Sequence, residues 1–127
     1  MNKHIVAIAA LASAVSLQFG STGLAAGALA LGTEPGRVWY GLNSDSGSVR
    51  IARREAMGAC TQHGPCRVET VFWNKCIAFA WQGAGHSGYG WATRDSPRQA
   101  ARAALRACER HGRPCELESA RCDTAGR

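Results

Sequence analysis

The chain has 127 residues, 15 Lys and Arg against 9 Asp and Glu, a net charge of +6, and six cysteines. With an N-terminal leader set aside, about 100 residues remain, enough for one small domain and too few for two independent cores. Arginine supplies nearly all the positive charge, since Lys75 is the one lysine after Lys3, and its planar fork suits carboxylates and phosphates.

In chain order, Lys3 and His4 precede an uncharged apolar run, residues 5–17, and then the small, polar stretch QFGSTGLAA. That is the layout of a signal peptide, with an apolar region too short to cross a bilayer comfortably. The expected leader is residues 1–26, cut after Ala26, leaving no stable membrane span and a secreted or periplasmic domain over 27–127. Cys60, the first cysteine, lies too far along for a lipid anchor.

Strand-like runs follow at 27–31 and 38–43. A helix opens at Ser48, which suits an N-cap, and stops near Gly64-Pro65. Further strand-like runs occupy 66–73, 76–82 and 88–93. The second helix opens on Ser96, with Pro97 in its first turn and Gln99 completing a capping box. Ala100, Ala101, Ala104, Leu105 and Cys108 then recur at helical spacing, and Gly112 with Pro114 ends the helix. A last strand is expected at 115–121.

The elements repeat. CTQHGPC at 60–66 is echoed by CERHGRPC at 108–115, Tyr40-Gly41 by Tyr89-Gly90, and Ala28-Leu29-Ala30 by Ala78-Phe79-Ala80. Two copies, about 27–75 and 76–122, each read strand-strand-helix-strand. The expected fold is α+β: one antiparallel sheet of about six strands, stapled by disulfides, with two small-residue helices on one face.

Six cysteines in a short exported chain read as a disulfide framework. Cys60, Cys66 and Cys76 precede Cys108, Cys115 and Cys122, three to a copy if Cys76 is counted with the first. The symmetric solution is Cys60–Cys66, Cys108–Cys115 and Cys76–Cys122, the last locking the copies together, although fifteen connectivities remain open. Zinc is disfavoured, because paired C-x₂-C knuckles are missing; no metal or cofactor is expected.

Two motifs nearly fit catalysis or cofactor binding. GAGHSG at 83–88 matches a dinucleotide fingerprint, but a strand rather than a helix follows it, so a hairpin loop is the better reading. His86-Ser87-Gly88 lacks the glycine at 89 that a nucleophile elbow needs. His63 and His111 suit helix C-termini, where the dipole favours them. Asp45, Asp95 and Asp123 have no legible histidine partner, and Glu116 and Glu118 are expected to face solvent. No catalytic residues are assigned. Trp39, Trp73, Trp81 and Trp91 are expected mostly in the core or half-covered on the sheet.

The second helix carries the clearest surface signal. Arg98, Arg102, Arg106 and Arg110 recur every four residues, with Arg94 before and Arg113 after them. Neighbouring like charges on one face repel, which points either to a solvated face or to a docking face for an acidic partner.

The export signal, the doubled A-[LM]-x-x-C element (Ala56 to Cys60, Ala104 to Cys108), the Y-G-[LW] strand and the Cys76-Ile77-Ala78-Phe79-Ala80 step together resemble a bacterial family of small, exported, cysteine-containing domains, the domain of unknown function 4189. The resemblance spans residues 27–122. It implies a secreted or periplasmic domain, sometimes attached to other modules, and brings no catalytic residues. The expected function is a binding module, of inhibitor or immunity type or acting on another cell, whose partner is a protein or another acidic macromolecular surface, with nucleic acid disfavoured. A small histidine hydrolase is the alternative.

Overall fold

The computed structural model describes residues 25–123. The expected leader therefore lies outside the described residues except at its end, where Ala26 opens the first strand. The elements are β1 (Ala26–Glu34), β2 (Arg37–Ser46), α1 (Val49–Thr61), β3 (Arg67–Trp73), β4 (Lys75–Trp81), β5 (Tyr89–Arg94), α2 (Pro97–Glu109) and β6 (Glu116–Asp123). Strand-strand-helix-strand thus occurs twice.

The expected single six-stranded sheet does not form. The strands make two antiparallel three-stranded sheets, ordered β2-β1-β3 and β5-β4-β6. Nor do both helices share one face: α1 packs on the first sheet, α2 on the second, and the sheets meet through their other faces.

The reason lies in the two central strands, β1 and β4, which are apolar on both faces. Ala26, Ala28 and Ala30 pack with Ala52, Ala56 and Cys60 of α1, while Cys76, Ala78 and Ala80 pack with Ala100, Ala104 and Cys108 of α2. The alternate positions, Leu29, Leu31, Ile77 and Phe79, join Val38 and Phe72 in a third cluster between the sheets. A single sheet covered on one face would leave those large side chains in water. Burying each is worth about 1.5–3 kcal/mol, so closing the sheets on one another wins.

Small residues line the helix layers because strand and helix backbones nearly touch. A Cβ on Gly41 would stand 2.1 Å from the Ala56 carbonyl oxygen, and one on Gly90 would stand 2.3 Å from the Cys108 nitrogen. These matched glycines admit only alanine-rich helices. Elsewhere the copies exchange large and small. Trp39 of β2 lies over Gly32 of β1, whereas Gln82 after β4 lies over Gly88 before β5. The large residue sits on the outer strand in the first copy and beside the central strand in the second.

Ser48 Oγ accepts from the Ile51 amide at 3.1 Å and Ser96 Oγ from the Gln99 amide at 3.2 Å, capping both helices. Past their ends, Gly64 and Gly112 take φ of 151° and 125°, which glycine adopts without strain. Glu55 of α1 accepts from Asn43 and Ser46 of β2, at 2.7 and 3.0 Å. Those two bonds hold its carboxyl below the usual range.

Disulfides join Cys60 to Cys66, Cys108 to Cys115 and Cys76 to Cys122. Cys60–Cys66 and Cys108–Cys115 each tie a helix end to the chain just before the next strand. Cys76–Cys122 does not lock the copies together, as the sequence suggested. β4 begins at Lys75, so Cys76 belongs to the second copy and faces Cys122 directly in the β4–β6 ladder. The copies are held instead by the apolar layer between the sheets.

Candidate functional site

Helix α2 turns Ala100, Ala103, Ala104 and Cys108 inward against β4 and β5. Its outer side is left to Arg98, Arg102 and Arg106, and Arg110 at the C-cap extends the row; all four are exposed. Arg94, at the end of β5, joins Gln99, Arg102 and Arg106 around a surface depression of about 410 Å³. Arg98 and Arg110 do not line it. Arg113 lies 3.9 Å from Glu109 in an exposed pair. Among the described residues no carboxylate pairs with Arg98, Arg102, Arg106 or Arg110.

A second basic group was not singled out in the sequence. Arg50, Arg53 and Arg54 are exposed on α1, which covers the opposite outer side of the molecule. The spacing of those arginines was visible, but their separation from the α2 row follows only from the two-sheet arrangement.

The histidines occupy helix corners and a loop. The amides of His63 and His111 donate to the Cys60 and Cys108 carbonyls at 3.0 and 2.9 Å, closing the last turns. His63 also accepts Arg37 Nη2 on its carbonyl at 2.9 Å and lines a cleft of about 150 Å³ with Arg37, Trp39, Tyr40 and Trp81. His111 stacks on Tyr89, ring centroids 6.3 Å apart. His86 lies in the exposed loop between β4 and β5, where its amide donates to the Gly83 carbonyl. No group of three or more His, Cys, Asp or Glu that could hold a metal occurs among the described residues. Of the aspartates, Asp95 pairs with Lys75. Asp123 is buried, and burial together with the Asp45 charge pushes its carboxyl up, the Asp45 amide opposing in part.

The tryptophans divide by position. Trp39 is buried and holds Arg37 over its ring at 4.7 Å. Trp81 and Trp91 are half-buried beside the inter-sheet cluster. Trp73, at the end of β3, is 52% exposed.

Glu118 is exposed, as expected, and also makes a contact across the domain. Its carboxylate accepts from Tyr40 Oη at 2.8 Å, a bond that crosses from one sheet to the other. Burial first, then this bond and the Glu118 charge, raise the Tyr40 phenol from its ordinary value near 10 to about 12, with Arg121 opposing. The protonated phenol is therefore favoured by the fold. Its stabilising effect is complete below pH 10 and is lost as pH rises through about 12. An ultraviolet titration should show a tyrosine ionising near pH 12, absent in Tyr40→Phe. In Glu118→Gln that step should move only part of the way back, because burial is the larger cause. A full return to 10 would assign the shift to Glu118 alone.

No curated protein and no solved structure matches the chain. The model of the domain of unknown function (DUF4189) matches residues 26–122, both repeats and all three disulfides included, and the chain belongs to that family.

Proposed function

We propose that the protein is an exported, disulfide-stabilised binding module that docks an acidic protein surface on the outer face of α2. The observation that carries this reading is the row Arg98, Arg102, Arg106 and Arg110, exposed and without a carboxylate partner among the described residues. A solvated face is cheaper with both signs mixed, because arginines four apart repel by a few tenths of a kcal/mol per pair, on the order of 0.2–0.5. Three disulfides suit an oxidising compartment. The described residues contain no helix long and apolar enough to cross a membrane. Binding is favoured over catalysis because the His63 and His111 amides close helix ends, the His111 ring stacks on Tyr89, and among the described residues no histidine pairs with a carboxylate.

Retention on immobilised poly-L-glutamate tests the face, with phosphatidylglycerol vesicles and duplex DNA as the other anionic surfaces. Binding should weaken steeply with salt. Arg102→Glu combined with Arg106→Glu should weaken it at least about tenfold, about 1.4 kcal/mol, with an unchanged melting temperature. Equal retention of the double variant at low and high salt would reduce the row to a solubility device. Stronger retention on vesicles or DNA than on poly-L-glutamate would reject a protein partner.

A further inference from the structure

Tyr40 and Tyr89 stand 49 residues apart, and so do Glu69 and Glu118. Each glutamate is the extra residue of a β-bulge. Leu29 and Ala30 of β1 pair with Thr70 and Val68, skipping Glu69. Phe79 and Ala80 of β4 pair with Ser119 and Leu117, skipping Glu118. A bulge re-aims one side chain and is a built feature rather than a defect. The two sheets should therefore meet twice through the same tyrosine–glutamate contact.

They meet so only once. Tyr40 donates to Glu118 at 2.8 Å, but no hydrogen bond joins Tyr89 to Glu69. Both instead line a cleft of about 390 Å³, with Leu31, Gly32, Thr33 and Arg67 around them. Three differences between the copies accompany the opening. Leu31 pairs with Tyr40 where the other copy sets the larger Trp81 against Tyr89. Arg67, where the other copy has Glu116, holds Glu69 Oε2 at 3.6 Å through its Nε. The Tyr89 ring stacks on His111.

We propose that this cleft binds a neutral, hydroxyl-rich ligand, a saccharide unit, whose hydroxyls take the place of the missing phenol–carboxylate bond. A sugar hydroxyl can donate to Glu69 and accept from Tyr89 or Arg67, whereas the opposite charges of Arg67 and Glu69 leave little net attraction for an ion. The volume falls within the range of small-molecule sites, about 300–1,000 Å³. The site is separate from the arginine row and does not depend on it.

Amide shifts of the full mature protein should be followed during titration with maltotriose and with triacetylchitotriose, citrate and spermidine serving as charged comparators. At least one saccharide should give saturable shifts centred on Gly32, Thr33, Arg67, Glu69 and Tyr89. Glu69→Gln and Tyr89→Phe should each weaken binding at least about tenfold (about 1.4 kcal/mol), while Tyr40→Phe leaves it unchanged. Melting curves of the three variants check that each is folded. No saturable shift with either saccharide, shifts centred elsewhere, unchanged binding in both cleft variants, or a response to the ions alone would each overturn the proposal.

Discussion

Phe79→Ala will cost about 3–5 kcal/mol, the range for truncating a fully buried aromatic side chain. Phe79 is 0% exposed, with its ring 4.6 Å from Tyr40, 5.8 Å from Trp81 and 6.1 Å from Tyr89. It stands at the centre of the layer that joins the sheets, touching aromatic rings from both. Domains of this size have about 5–15 kcal/mol of stability in total, so a large part of it is removed by one change. Urea unfolding should show the loss directly, with Trp73→Ala as the reference: that side chain is 52% exposed and should cost within about 0.5 kcal/mol. The comparison discriminates between architectures. In a single sheet with both helices on one side, the Phe79 face would be wet and its truncation nearly as cheap as that of Trp73. Equal losses would therefore refute the packing of one sheet on the other.

Removing the Cys76–Cys122 bridge, by replacing both cysteines with serine, should lower stability by about 4 kcal/mol, against about 2 kcal/mol for either of the other bridges. The sequence separations are 46, 6 and 7 residues. Chain-entropy cost rises with the logarithm of the loop, so the long bridge restricts the unfolded chain most. Because both cysteines lie in the second copy, the loss should appear first in β6, an edge strand held to the domain mainly by β4. Hydrogen exchange of the double variant should show β6 amides deprotected before those of β1. A smaller loss than for Cys60 and Cys66 would reject the entropic account. Uniform deprotection of both sheets would mean that this bridge supports the joint between the copies after all.

The paired bulges bear on how such a doubled chain diverges. Two copies of one element order supply two inter-sheet contacts, of which one, Tyr40 with Glu118, is closed and lends the domain a fixed cross-link. At the other, which stands open, Leu31 occupies the place of Trp81 and Arg67 that of Glu116. The copies likewise reverse the large and small positions at Trp39 with Gly32 and at Gln82 with Gly88. Each junction draws its tyrosine from one copy and its glutamate from the other, and one is closed by a hydrogen bond while the matching one stands open.

Sequence by itself determined the element order, the two repeats, the serine caps and the glycine stops. The caps and stops are signals within about ten neighbouring residues, where local hydrogen bonding and backbone freedom decide the outcome. The arginine row of α2 was legible for the same reason, since helical spacing alone places four residues on one side. Tertiary structure alone decided how six strands divide into two sheets, which cysteines pair, and which side of each sheet meets a helix. The alternation of alanine with Leu29, Leu31, Ile77 and Phe79 was present in the sequence. It shows that β1 and β4 are apolar on both faces, but not what covers each face. The roles of Glu69 and Glu118 were hidden more deeply. A bulge exists only relative to the register of a partner strand, and that register is set by residues some 40 positions away in the chain.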